Sequence, residues 1–155
     1  MNRPVRLDLS DEGIARAVLA LQQAAYAVEA ELIGSKGIPA LTETLAELTS
    51  TGEEWLGAFD DEGLIGAVSW RVGEDGIIDI HRLVVAPRDF RQGTATALLD
   101  GLDDAFPGRP MVVSTGSANE PALRLYGQRG FAIVREREVV PGLAVTELER
   151  EGREA

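Results

Sequence analysis

One stretch limits the folds open to this chain. Leu83-Val84-Val85-Ala86 has the continuous apolar character of a buried strand, and it stops at Pro87. A short loop carrying Arg88 and Arg91 follows, and a helix opens at Gly93 with small residues at Ala95 and Ala97. A strand that feeds a helix through glycine leaves backbone N–H groups unpaired at the helix start, with little side-chain bulk beside them. Free donors and the helix dipole act together on anions. The stretch is therefore read as an anion site whose expected occupant is a pyrophosphate. The formal charge of −11 narrows how phosphate can be held here. Only aimed amides and a few local cations can do so on such an acidic protein, and Arg88 and Arg91 are placed to serve. The plain alternative is that both arginines are solvated surface charges.

The rest of the chain is expected to build around this unit. Residues 5–9 alternate as a half-buried strand does, and Ser10 reads as a helix N-cap. Ile14, Val18, Leu21, Ala25, Val28 and Leu32 form one apolar stripe on a long helix ended by Gly34. A shorter helix is expected over 41–48, then strands over 54–59, 64–72 and 77–86 joined by turns at 60–63 and 73–76. A helix over 94–105 follows, then a strand over 111–115, a helix from Pro121 to Gly130, and strands over 131–140 and 143–148. Trp55 and Trp70 are read as sheet residues packed on helices. The order is β-α-α-β-β-β-α-β-α-β-β, an α/β (α+β) chain. A mixed, mainly antiparallel sheet of about seven strands with helices on both faces packs it economically. Residues 1–155 are expected to form a single domain.

Composition removes several function classes. Cysteine is absent and there is one histidine, His81, so thiolate chemistry and multi-histidine metal sites are excluded and no metal is expected. The acidic balance argues against nucleic acid. No apolar run approaches the roughly 20 residues of a membrane span, and no signal-peptide pattern opens the sequence, so a cytoplasmic protein with no membrane partner is expected.

A second stretch, Asn119-Glu120-Pro121-Ala122-Leu123-Arg124-Leu125-Tyr126-Gly127-Gln128-Arg129-Gly130-Phe131, stands downstream. Alone it is an amphipathic helix with a core tyrosine and a glycine stop. Together with Val85-Ala86-Pro87 and Gly93-Thr94-Ala95 it resembles the GNAT family of acyl-CoA-dependent N-acetyltransferases. That family's phosphate loop is written Gln/Arg-x-x-Gly-x-Gly/Ala, and its later signature Asn-x-x-Ala-x-x-Leu-Tyr-x-x-x-Gly-Phe. The chain follows the later signature throughout. It departs from the earlier one at Phe90, where the family has Gln or Arg, with Arg91 and Gln92 adjacent.

The resemblance implies the GNAT fold and acetyl-CoA as acyl-donor co-substrate, without a metal. It implies cofactor contacts at Val84, Val85, Arg88, Arg91, Gln92, Gly93, Thr94, Ala95, Thr96, Asn119 and Tyr126. The Val85 N–H would bind the thioester carbonyl where the fourth strand splays from its neighbour. The Tyr126 hydroxyl would be the general acid for the departing thiolate, since a phenol with a reference pKa of about 10 stays protonated. Asp79, His81, Leu83 and Val85 are expected on one strand face, with Asp79 and His81 both candidates for the base. The acceptor site would lie over 26–41, with Tyr26 and Glu29 as substrate contacts. The implied reaction is acetyl transfer to a primary amine, expected on a small molecule, by direct attack on the thioester. The alternatives are a protein or peptide N-acetyltransferase, and a non-catalytic acyl-CoA sensor or interaction module. A homodimer is compatible with each.

Overall fold

The computed structural model describes residues 3–33, 43–89 and 93–153, with the side chains of residues 29, 30, 32 and 33 outside the description. In chain order the elements are β1 (Val5–Leu7), α1 (Glu12–Ile33), α2 (Leu45–Thr49), β2 (Glu54–Asp60), β3 (Gly63–Val72) and β4 (Ile78–Val85). Then come α3 (Thr94–Ala105), β5 (Met111–Gly116), α4 (Glu120–Gln128), β6 (Ala132–Val140) and β7 (Leu143–Arg150). This is the expected order. The strands form one 7-stranded sheet in the order β1-β2-β3-β4-β5-β7-β6. All neighbours run antiparallel except β4 and β5, which are parallel. Among the described residues no helix is long and apolar enough to cross a membrane.

Alternating side chains divide the sheet into two cores. On one face α1 and α2 bury Val18, Leu21, Leu48, Trp55, Ala67 and Val84 together. On the other, Leu98, Leu99 and Leu102 of α3 and Tyr126 of α4 pack on Leu56, Trp70, Ile80 and Phe131. Trp55 and Trp70 thus serve opposite faces, and Trp70 meets Phe106 edge-on at 5.8 Å.

Two helix starts differ from expectation because nearby side chains compete for the cap. Ser10 gives its N–H and hydroxyl to Asp8, and Asp11 Oδ1 accepts from the Ile14 N–H at 3.2 Å instead. The second helix begins at Leu45, behind a capping box in which Thr44 and Glu47 satisfy each other's backbone N–H groups. Gly34 and Leu41 lie outside the described residues.

Candidate active site

The site opens where the parallel pair comes apart. β4 and β5 are registered only over Ile78↔Met111, Asp79↔Val112 and Ile80↔Val113. Both continue past that point, and β5 stays in register with β7 as far as Gly116↔Val145. The gap is therefore an opening between two ordered strands. Ala86 donates its N–H to Ile65 on β3 at 2.8 Å. Antiparallel alternation then turns the Val85 N–H the other way, toward the gap. The Val84 side chain is buried under α1, so Val84 offers the gap a wall instead of a side-chain donor.

At the wide end of the gap stands the start of α3. Gly93 is its N-cap, with φ of 81° and no side-chain cap bond, and the first helical bond runs from Ala97 N to Gly93 O. That left-handed conformation suits glycine. It leaves the N–H groups of Thr94, Ala95 and Thr96 without intrahelical partners. A Cβ on Gly66 would sit 2.7 Å from Thr94 Cγ2, so glycine there lets the helix start lie close against β3. Thr94 is buried, and its hydroxyl has no hydrogen-bond partner among the described residues. A cavity of about 510 Å³ lies against this turn. Leu83, Val84, Val85, Gly93, Thr94, Ala95 and Thr96 line one side, and Asn119, Ala122 and Leu125 the other. The orphan amides and the buried hydroxyl fit a pyrophosphate, and the channel fits the arm of a CoA thioester.

The expected cations are arranged differently. The Arg88 guanidinium lies within 3.2 Å of Asp60, 3.0 Å of Glu62 and 3.4 Å of Asp89. Its hydrogen bond to Asp60 and the surrounding carboxylate charges raise its pKa. It is turned toward the β2–β3 turn and does not line the cavity, whereas Asp89 does. Phe90, Arg91 and Gln92 lie outside the described residues.

A second cavity, of about 310 Å³, shares Tyr26, Leu83, Asn119 and Ala122 with the first. It adds His81, Arg82, Tyr126 and residues of the β6–β7 hairpin. Tyr126 is almost fully buried, its ring edge-on to Phe131 at 5.3 Å. Asn119 caps α4 by accepting from the Ala122 N–H at 3.3 Å, and the residue lines both cavities. Tyr26 reaches both cavities from α1. The Glu29 side chain lies outside the described residues.

The expected common face of Asp79, His81, Leu83 and Val85 is not formed. Ser69 is paired with Arg82 and Trp70 with Ile80, so His81 is the extra residue of a bulge. The bulge moves the alternation by one. Leu83 joins Ile78 and Ile80 in the α3–α4 core, and Val84 enters the α1 core. His81 lines the smaller cavity, with Nε2 3.3 Å from Asp79 and Nδ1 3.9 Å from Glu53. Asp79 is exposed and lines neither cavity.

Beside the bulge is a buried ionic network that the sequence reading does not contain. Arg82 Nη1 bonds Glu43 and, at 3.0 Å, Gln22 Oε1. Its Nη2 bonds Glu43 at 3.0 Å and Glu53 at 3.3 Å, and Nε bonds Glu53 at 3.1 Å. Every guanidinium donor is thereby used. Ser69 donates to Glu53, Gln22 to Glu43, and the guanidinium stacks over Trp55 at 5.7 Å. Burial pushes the Glu43 carboxyl up, but the Arg82 and Gln22 hydrogen bonds and the Arg82 charge hold it below the usual value. Burial likewise opposes the Arg82 charge, and the two glutamates outweigh it and raise the Arg82 pKa. The sequence carries no local signal for it, because Arg82 follows Asp79 and His81 in a strand of mixed polarity.

Known proteins match the chain in sequence and in fold. A family model described as Acetyltransferase (GNAT) family matches residues 17–131. UPF0157 protein YqkA of Bacillus subtilis (strain 168) is 37% identical over 134 residues, covering 86% of this chain and 39% of that protein. The chain thus spans well under half the length of this relative. Among solved structures, the ribosomal-protein-S18-alanine N-acetyltransferase from Escherichia coli superimposes with a TM-score of 0.78 at 19% identity, covering 100% of this chain and 96% of that one. An aminoglycoside 6′-N-acetyltransferase complexed with coenzyme A superimposes with a TM-score of 0.73 at 13% identity, covering 95% of each chain.

Proposed function

Since the chain belongs to the acetyltransferase (GNAT) family, we propose that it transfers the acetyl group of acetyl-CoA to a primary amine of a small molecule. The observation that carries this reading is the pair of joined cavities. One holds the open start of α3 and the gap edge of β4, and the other holds His81 and Tyr126. Acetyl-CoA would lie with its pyrophosphate on the Thr94, Ala95 and Thr96 amides, joined by Arg91 and Gln92. Its pantetheine would run along Val84 and Val85 toward Asn119. A second cavity of about 310 Å³ suits a small amine better than a folded protein segment.

The residues then divide the reaction among them. His81, at the cavity wall, takes a proton from the acceptor ammonium, with Asp79 beside it. The neutral nitrogen attacks the thioester carbonyl carbon, and the Val85 N–H receives the charge that develops on the carbonyl oxygen. The C–N bond forms, the C–S bond breaks as the Tyr126 hydroxyl protonates the departing sulfur, and the proton shed by the new amide nitrogen restores that hydroxyl. Holding donor and acceptor in one gap removes several kcal/mol of the barrier by positioning alone. Calorimetric titration with acetyl-CoA, beside a thiol-release assay on a panel of primary amines, tests the reading. Binding together with turnover of an amine is the expected result. Binding without turnover on any amine would reduce the protein to an acyl-CoA sensor, and absence of binding would remove the donor assignment.

A further inference from the structure

The charges around His81 do not balance, and the imbalance has a direction. Arg82 is one cation held between two buried carboxylates, Glu43 and Glu53, and all of its donors are committed to them and to Gln22. Asp79 on β4 is exposed to solvent, which screens its charge, and the Arg71 guanidinium on the neighbouring strand is turned to the Thr51 carbonyl. Tyr26 and Gln22 of α1 and Ser69 of β3 contribute no formal positive charge. Among the described residues Arg82 is the one arginine or lysine ion-paired with either glutamate, so Glu43, Glu53 and Arg82 together carry a surplus negative charge. Glu53 is the one that borders the imidazole, with Oε2 3.9 Å from His81 Nδ1. A buried carboxylate without a full counter-charge is costly, and a cation forming next to it recovers part of that cost.

We propose that Glu53 is a positioning residue for His81, supplying the counter-charge for the imidazolium that forms when His81 takes the acceptor's proton. The proposal rests on the reading of His81 as the base. Arg82 holds Glu53 in place through two hydrogen bonds, and Ser69 holds it through a third. In this arrangement the network stores negative charge where a proton has to arrive. No group on the acceptor side has to move.

The chain contains a single histidine, so its imidazole resonances can be followed by NMR without assignment. The experiment titrates that ring in the 155-residue chain without substrate, in the parent and in Glu53→Gln, Glu43→Gln and Asp79→Asn. Glu53→Gln is expected to move the midpoint to lower pH, because a neutral amide no longer favours the imidazolium. Glu43→Gln removes the same surplus, since Glu53 is then fully matched by Arg82, and it is expected to act in the same direction. It also keeps the test intact if Glu53→Gln does not fold. Asp79→Asn removes an exposed, solvent-screened carboxylate and is expected to move the midpoint less. Unchanged midpoints in the glutamate variants, or a larger change in Asp79→Asn, would overturn the proposal. The base assignment fails separately. His81→Gln that retained turnover and the acid limb of the kcat/KM profile would remove His81 from the reaction, whatever the titrations showed.

Discussion

The two ends of the gap are built from different materials. At the α3 start the groups that would hold a dianion are backbone N–H groups freed by a left-handed Gly93, and Arg88 of the preceding turn is occupied by carboxylates. At the His81 end, side chains from α1, β4 and the segments before α2 and β2 meet in one buried ionic network. The first device is neutral, and its strength comes from direction. The second gathers charge that must be desolvated, and it stands only while every partner is present. An acidic protein built in this way needs no basic face to attract an anion at α3, and its buried formal charges gather at the His81 end.

The comparison breaks most visibly at Gly93. Gly93→Glu places a carboxylate and its bulk on the amides, and the left-handed φ adds about 1–2 kcal/mol of strain. Acetyl-CoA affinity is expected to fall by about 1000-fold, about 4 kcal/mol, in a calorimetric titration. Retained affinity would move the pyrophosphate elsewhere and remove the backbone side of the contrast.

The other end is tested through Arg82. Arg82→Met strands Glu43 and Glu53 as buried charges and is expected to cost about 3 kcal/mol of stability in denaturant unfolding. Acetyl-CoA affinity of the folded protein should stay within about 2-fold, because the amides at Gly93 do not depend on the network. The pH dependence follows from Glu43, whose carboxyl is held below its usual value of 4.5. A group lowered in the folded state stabilises fully above its unfolded pKa and loses that contribution as the pH falls through the folded one. The parent should therefore lose this part of its stability in acid, and Arg82→Met should show a flatter acid limb. An equally steep limb in the variant would show that the contribution lies elsewhere, for instance in Asp103. Burial raises that carboxyl, but Arg150 and Arg129 lower it further than burial raises it.

The same contrast explains what could be read from the chain. The turn at Gly93 and the helix from Asn119 to Phe131 are local, so residue type and spacing carry them, and both stand where expected around the gap. The single-residue bulge at His81 is not local. It arises from how β3 and β4 pair, and a period of two along β4 assigns Leu83 to the wrong core. Arg82, Glu43, Glu53 and Gln22 are far apart in sequence, and each alone reads as a solvated polar residue. Only the folded sheet brings them within hydrogen-bond distance.

Tyr126 lines the smaller cavity and not the one at the α3 start, so it reports on chemistry without touching the phosphate site. Tyr126→Phe should lower kcat by about 100-fold, with acetyl-CoA affinity nearly unchanged. An unchanged kcat would mean the hydroxyl is not the acid, and that the thiolate leaves without a proton from α4.

The smallest effect discriminates most finely. Arg88 was expected at the phosphate, yet its charge is taken up by Asp60, Glu62 and Asp89. Arg88→Ala therefore removes no direct phosphate contact. It exposes three carboxylates near an anionic ligand, Asp89 being on the cleft wall itself. The resulting loss in acetyl-CoA affinity should be about 3-fold, the scale of an exposed ionic effect. It should also shrink toward zero as added salt shortens the screening length to about 3 Å at 1 M. The Gly93→Glu defect is steric as well as electrostatic and should persist at the same salt concentration. If Arg88→Ala instead cost 100-fold and the loss resisted salt, Arg88 would be a phosphate ligand. The α3 end would then be a charge-built site like the other, and the distinction between the two ends would fall.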